Sequence, residues 1–309
     1  MPKVLVTGAL GMIGRALCED LLKKGGFTVD GIDIKEDPDN PFSHSIHYSN
    51  VDIRNKEAIA EVVRRGSYGC IVHLAAISRV VDGEKNKRVC IQTNYLGTIN
   101  IVDAIKRLSP MTHIIFASSR EVYGEQTEFP VPETAELLPL NVYGFYKLMA
   151  EQYIQSNLSK FTILRFCNVY GSIYDIPGRV IPNFILKALK EEEITIEGGQ
   201  QLIDFTHIDD TVWAISRCIS LIPTGEVNGE TITISPGKGS TLQDLIRIIS
   251  RDLGFQLKTK INPERDYDVQ RFIGDPTKRK RLLGDREFVP VEVGINRTIN
   301  LFRNHYKAK

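Results

Sequence analysis

Short apolar runs and stretches of helical periodicity alternate through the first half of the chain. Lys3 to Thr7 is apolar and too brief for a helix, glycines follow it, and residues 13–24 then repeat apolar positions at helical spacing. That order predicts strand, turn, helix. Gly25-Gly26 stops the helix, and residues 27–34 supply a second strand ending in an acid. The alternation continues with strand 46–51, helix 55–65, buried strand 70–74, long helix 89–108, strand 114–117, helix 142–157 and strand 161–166. It predicts an α/β fold with a doubly wound parallel sheet, whose crevice opens at the carboxyl ends of the strands. Gly8, Asp33, Asp52, Ala75 and Ser119 all fall at such ends.

Beyond Gly171 the alternation loosens, and loops hold Pro177, Gly178, Pro182 and Gly198-Gly199. We expect a nucleotide-binding domain over residues 1–170 and, over 171–309, mainly a smaller interleaved lobe covering a substrate crevice. The amphipathic stretch 209–220 and the strand-like 231–234 imply that segments near 206–235 return to the main sheet. Residues 241–253 and 291–302 read as helices. The basic run Lys278-Arg-Lys-Arg281 reads as a solvated helix face.

Composition narrows the function. With 309 residues the chain can bury a large core, and 39 basic against 38 acidic residues leave a net charge of +1. No field favours nucleic acid or an anionic membrane, so a small molecule is the expected partner. Five scattered cysteines in apolar segments fit reduced thiols in a cytoplasmic protein, and neither a leader nor an 18-residue apolar run supports export or membrane spanning. The histidines, His44 and His47 included, form no metal-ligand pattern, and His73 and His207 read as packed residues.

Three stretches carry the chemistry. Gly8, Gly11 and Gly14 space a G-x-x-G-x-x-G turn between strand and helix, the arrangement that puts a pyrophosphate on a helix N-terminus; an ordinary glycine-rich turn is the alternative. Asp33 lies 19 residues after Gly14, where a carboxylate can accept both ribose hydroxyls and repel a 2′-phosphate, favouring NAD over NADP. Asp37 and Asp39 in the following loop leave open that Asp33 is simply one loop acid among several. Tyr143 and Lys147, at i and i+4, would share a helix face, where an ammonium lowers a phenol's pKa and makes it a general base. The third stretch is Phe116-Ala-Ser-Ser-Arg-Glu-Val-Tyr-Gly124, whose serines lack the surroundings of a hydrolase nucleophile.

Together these residues resemble the extended short-chain dehydrogenases/reductases, in the nucleotide-sugar epimerase and dehydratase branch, over essentially the whole chain. The resemblance implies a Rossmann-type domain and NAD as cofactor. Its cofactor residues would be Gly8, Gly11, Met12, Ile13 and Gly14 at the pyrophosphate turn, Asp33 at the ribose and Asp52-Ile53 at the adenine. Leu74, Ala75, Ala76 and Asn94 would wall and anchor the cleft. Ser119, Tyr143 and Lys147 match the catalytic set, and Tyr143 and Lys147 also meet the cofactor. Ser119, Asn168, Arg179, Arg265 and Asp268 would bind substrate. A homodimer is implied too, through the helices 89–108 and 142–157, whose surplus apolar residues include Ile99, Ile101, Val102, Ile105, Leu148, Met149, Tyr153 and Ile154.

Two departures bear on the reaction. Ile203 stands where the family usually carries an arginine for the diphosphate, which counts against decarboxylase chemistry, and Arg120-Glu121 keeps only the glutamate of the dehydratases' Asp-Glu pair. The expected activity is therefore NAD-dependent epimerisation of a nucleotide sugar at C4 through a keto sugar. A dehydratase or reductase, with Glu121 as its catalytic base, is the enzymatic alternative, and an NAD-binding regulatory protein the non-enzymatic one.

Overall fold

The computed structural model describes residues 2–36 and 46–307. Asp37, Asp39 and His44 lie outside the described residues. The strands are β1 (Lys3–Thr7), β2 (Thr28–Asp33), β3 (His47–Asn50), β4 (Cys70–His73), β5 (His113–Ser119), β6 (Phe161–Phe166), β7 (Asn168–Tyr170), β8 (Ile194–Glu197), β9 (Leu202–His207), β10 (Glu230–Ile234), β11 (Gly239–Thr241), β12 (Thr259–Asn262) and β13 (Arg271–Phe272). Seven of them form one parallel sheet in the order β10-β6-β5-β4-β1-β2-β3. The order reverses at β1, so the crevice opens beside Thr7, where β1 meets β4.

The helices that bear on the site are α1 (Met12–Lys24), α2 (Lys56–Gly66), α3 (Val80–Lys85), α4 (Lys87–Cys90), α5 (Gly97–Leu108), α6 (Val142–Asn157), α7 (Val180–Leu189) and α8 (Ile208–Leu221). Leu17 and Leu21 of α1 and Ile215 and Ile219 of α8 pack in one core with Val4, Val72 and Leu164 from the sheet. Ile59 and Val63 of α2, Ile101 and Ile105 of α5 and Ile154 of α6 pack with Leu5, Ile71 and Ile114 from the same strands. Side chains alternate across a strand, so continuous apolar strands feed a core on each face. A third core joins α7 to Ile203 and Phe205 of β9 and Leu245 and Ile249 further along; there β9 lies among β7, β11 and β13 in a second small sheet.

The helix expected over 89–108 is interrupted: α4 passes into a π-helical segment, Ile91–Leu96, before α5 begins. A wide turn of this kind is found where a side chain must be re-aimed, and here Asn94 accepts from the Ile77 amide (2.8 Å) and donates to its carbonyl (2.9 Å). Strand 114–117 is longer than expected, running to Ser119 and so placing both serines in the sheet. The basic run is a helix, Thr277–Leu283, whose Lys280 and Arg281 are exposed as expected of a solvated face. Arg279 departs from it: it is 2% exposed, with its guanidinium 4.0 Å from the Phe288 ring centre, while Lys278 pairs with Glu230 and Lys280 with Asp285.

Candidate active site

One cleft of about 730 Å³ runs along the carboxyl ends of the parallel strands and into the second lobe. At one end α1 begins without a side-chain cap or an acid in its first turn, so its first amides are left for an anion. The glycines make that approach possible. A Cβ on Gly14 would lie 2.1 Å from the Gly8 carbonyl oxygen, and one on Gly8 would lie 2.9 Å from the Ala75 amide nitrogen. Asp33, at the tip of β2, accepts from the Leu10 amide at 3.0 Å and the Lys35 amide at 3.1 Å, which aims its carboxylate at the same turn. Asp52 is held by Arg54 at 2.6 Å, and that bond keeps its carboxyl below the usual range. Met12, Ile13, Ile53, Leu74, Ala75 and Ala76 line the same end.

Asn94 does not. It is 1% exposed, and both ends of its amide are spent on Ile77. It positions the wall and does not form part of it.

Ser119 ends β5, and α6 brings Tyr143 and Lys147 up beneath it. Gly144 permits this contact, since a Cβ there would meet the Glu121 carbonyl oxygen at 2.5 Å. Asn141 caps α6 by accepting from the Gly144 amide at 2.8 Å, and its own amide donates to Glu121 Oε2 at 2.7 Å. Helix start and the turn after Ser119 are thereby tied together.

The electrostatics differ from expectation. Burial pushes the Tyr143 phenol up to about 12, against the lowering effects of the neighbouring Ser119 hydroxyl and the Arg179 charge. Lys147 is not what lowers it. Its ammonium donates to the Ala117 carbonyl at 2.7 Å, and burial brings its own pKa down to about 8. Sharing a helix face sets direction, whereas the backbone carbonyl decides where the charge ends up.

Asn168, Arg179, Arg265 and Asp268 all line the far end of the cleft. Arg265 Nε pairs with Asp268 at 2.7 Å, and burial raises the Asp268 pKa in spite of that partner. Arg179 donates to Ser78 Oγ at 2.9 Å and faces Asp175 at 3.5 Å, while Arg79 Nη2 reaches the Gly178 carbonyl at 3.1 Å. These reciprocal contacts bridge the cleft mouth. Ser78, Arg79 and Asp175 have no periodic or motif signal in the sequence, because they lie in irregular segments about 100 residues apart. Gly144 was legible in principle, as a glycine directly beside Tyr143.

His73 is buried between Thr7 (2.7 Å) and Thr98 (3.0 Å), a packed residue. Among the described residues no group of three or more His, Cys, Asp or Glu could hold a metal ion, and no helix is long and apolar enough to cross a membrane.

Residues 4–233 match the model of the NAD dependent epimerase/dehydratase family. The chain belongs to that family. It is 30% identical to the putative UDP-glucose 4-epimerase of Methanocaldococcus jannaschii, over 99% of this chain and 100% of that one. It is also 30% identical to the UDP-glucuronate 4-epimerase of Thermodesulfobacterium geofontis, over 96% and 94% of the two chains. The crystal structure of UDP-glucuronic acid 4-epimerase from Bacillus cereus, in complex with UDP-glucuronic acid and NAD, superposes with a TM-score of 0.90 at 26% identity, covering 98% of this chain and 100% of that one.

The cofactor of the family fits the residues present: a glycine turn with no room for a Cβ, an uncapped helix start, and an acid fixed beside them. NAD is the cofactor.

Proposed function

We propose that this protein interconverts C4 epimers of a nucleotide sugar by transient oxidation to the 4-keto sugar. The observation that carries the reading is the placement of Ser119, Tyr143 and Lys147 together in one cleft. The cofactor turn lies at one end of that cleft and a polar, arginine-bearing pocket at the other.

In this reading Gly8, Gly11, Met12, Ile13, Gly14, Asp33, Asp52 and Ile53 hold the dinucleotide. Bound there, NAD would supply the acceptor for the C4 hydride and its return to the opposite face of the ketone, and its ring charge would favour the Tyr143 phenolate. Tyr143 accepts the C4 hydroxyl proton as the ketone forms and gives it back as the ketone is reduced, with Ser119 donating to the same oxygen. Lys147, anchored on Ala117, keeps a cation beneath the site and would hold the cofactor ribose. Asn168, Arg179, Arg265 and Asp268 hold the substrate.

Glu121 lines the cleft and is the residue the dehydratase alternative would use as base; its Oε1 faces Arg120 Nη2 at 2.8 Å and its Oε2 accepts from Asn141 at 2.7 Å. We assign residues 1–170, with 206–235, to cofactor binding and most of 171–309 to substrate. The five free, buried cysteines support a cytoplasmic setting.

We further propose a homodimer through α5 and α6, in which half of the expected residues, Ile99, Leu148, Met149 and Tyr153, are half-buried and the other half are not available. Ile101, Val102, Ile105 and Ile154 are consumed in the protomer's own core. Leu96 at 44% exposure and Phe145 at 49% remain on the surface beside Tyr95 and Tyr146, and they supply the apolar face.

Incubation of the purified protein with UDP-glucose and with UDP-glucuronate tests the function. A product of equal mass with an inverted C4 proton in its NMR spectrum is expected. Loss of water would mean a dehydratase, and no product from either substrate would overturn the reading.

A further inference from the structure

Arg120 follows Ser119 directly and is 5% exposed, yet it lines the cleft. Its guanidinium is held from three sides. Nε donates to Asn168 Oδ1 at 3.1 Å, Nη2 faces Glu121 Oε1 at 2.8 Å, and the group lies 5.8 Å from the ring centre of Phe272. Glu121 is itself fixed by Asn141, the cap of α6. Nη1 is buried and has no hydrogen-bond partner. A buried guanidinium N–H left unpaired is costly, so such a group signals a missing acceptor.

The other substrate-end arginines differ. Arg265 pairs with Asp268 and Arg179 with Ser78 and Asp175, and both stay partly exposed, with no buried unpaired N–H among the described residues. Phe272 is the register partner of Ile203 on the neighbouring strand. Arg120 therefore brings a cation close to the strand pair that presents an apolar residue at position 203.

We propose that Arg120 is a substrate-binding residue whose Nη1 donates to an acceptor oxygen of the nucleotide sugar. Glu121 pairs with it and the Asp204 and Asp268 carboxylates also sense its charge, so the group acts as a fixed, directed donor, and not as a diffuse attraction for anions. This rests on the function proposed above. The acceptor oxygen belongs either to the diphosphate or to the sugar, and binding distinguishes the two.

The experiment is calorimetry of UDP and of UDP-glucose on the NAD-loaded protein, for the wild type, Arg120→Met and Arg120→Lys, with thermal melting of each. Arg120→Met is expected to weaken UDP-glucose binding roughly ten- to hundredfold, the loss of one charged hydrogen bond. An equal loss for UDP assigns the acceptor to the diphosphate, and unchanged UDP affinity assigns it to the sugar. Arg120→Lys keeps the ion pair with Glu121 but cannot span Asn168, Glu121 and substrate together; it shows the same direction and serves if the methionine variant fails to fold. Wild-type affinity of the folded variants for both ligands would overturn the proposal and leave Arg120 as a core ion pair. Absence of turnover in the wild type would count against the epimerase reading alone, because these affinities do not depend on it.

Discussion

The Lys147 ammonium donates to the carbonyl oxygen of Ala117 at 2.7 Å, two residues before Ser119 on the same strand. It is a buried cation with a pKa brought down to about 8 from 10.5. Between those values the unfolded chain binds the proton and the native protein does not, so stability rises with pH across that window. Below pH 8 the buried charge costs the native state roughly 3 kcal/mol relative to a solvated lysine. Urea unfolding of the NAD-free protein should gain stability from pH 8 to 10 relative to Lys147→Met. Parallel curves for the two proteins would mean that the ammonium is solvated.

Tyr143→Phe should abolish turnover while bound NAD persists after purification, because the proton acceptor is lost and the glycine turn is untouched. Absorbance of released cofactor and a turnover assay check it. Full activity would remove Tyr143 from the mechanism.

Asp33→Ala should weaken NAD binding by about 1.5 to 3 kcal/mol, as for a charged hydrogen-bonding group, and narrow the discrimination against NADP. The Leu10 and Lys35 amides lose their acceptor as well, so the glycine turn loosens with it. Titration with both dinucleotides decides; unchanged NAD affinity would leave Asp33 as a loop acid.

Gly144→Ala adds one carbon where the Glu121 carbonyl lies 2.5 Å away. The start of α6 must shift, at about 1 to 3 kcal/mol for overpacking, and Tyr143 moves with it. We expect a lowered turnover number together with a lowered melting temperature. A stable, fully active variant would show that the approach of α6 to the turn after Ser119 is not needed.

Sedimentation at micromolar concentration should give twice the 34.8 kDa chain mass, and Phe145→Glu should shift it towards monomer by placing a charge in the apolar face. A monomeric wild type would refute the dimer.

Much of this was written into local sequence. Strand and helix periods, the glycine turn, Asp33 19 residues after Gly14 and Tyr143 one turn before Lys147 are all short-range facts, because backbone geometry imposes periods of two and of 3.6 residues. The site residues at the strand ends followed from topology: a parallel sheet has one open crevice. The irregular second half was less legible. Its short strands β8 and β12 pair across 65 residues, and nothing local marks that register.

Charge was decided only by the tertiary structure. From spacing alone Lys147 would serve Tyr143, yet it turns to Ala117, a carbonyl 30 residues away. The basic run of residues 278–281 would face water, yet Arg279 lies under Phe288. Ile101 and Ile154 would face a partner, yet they fill the protomer's own core. A pattern of residue types determines which elements form and which way their side chains set out. Which neighbour compensates a buried charge, and which apolar face is already covered, depends on atoms brought together from distant parts of the chain, and desolvation makes those neighbours decisive.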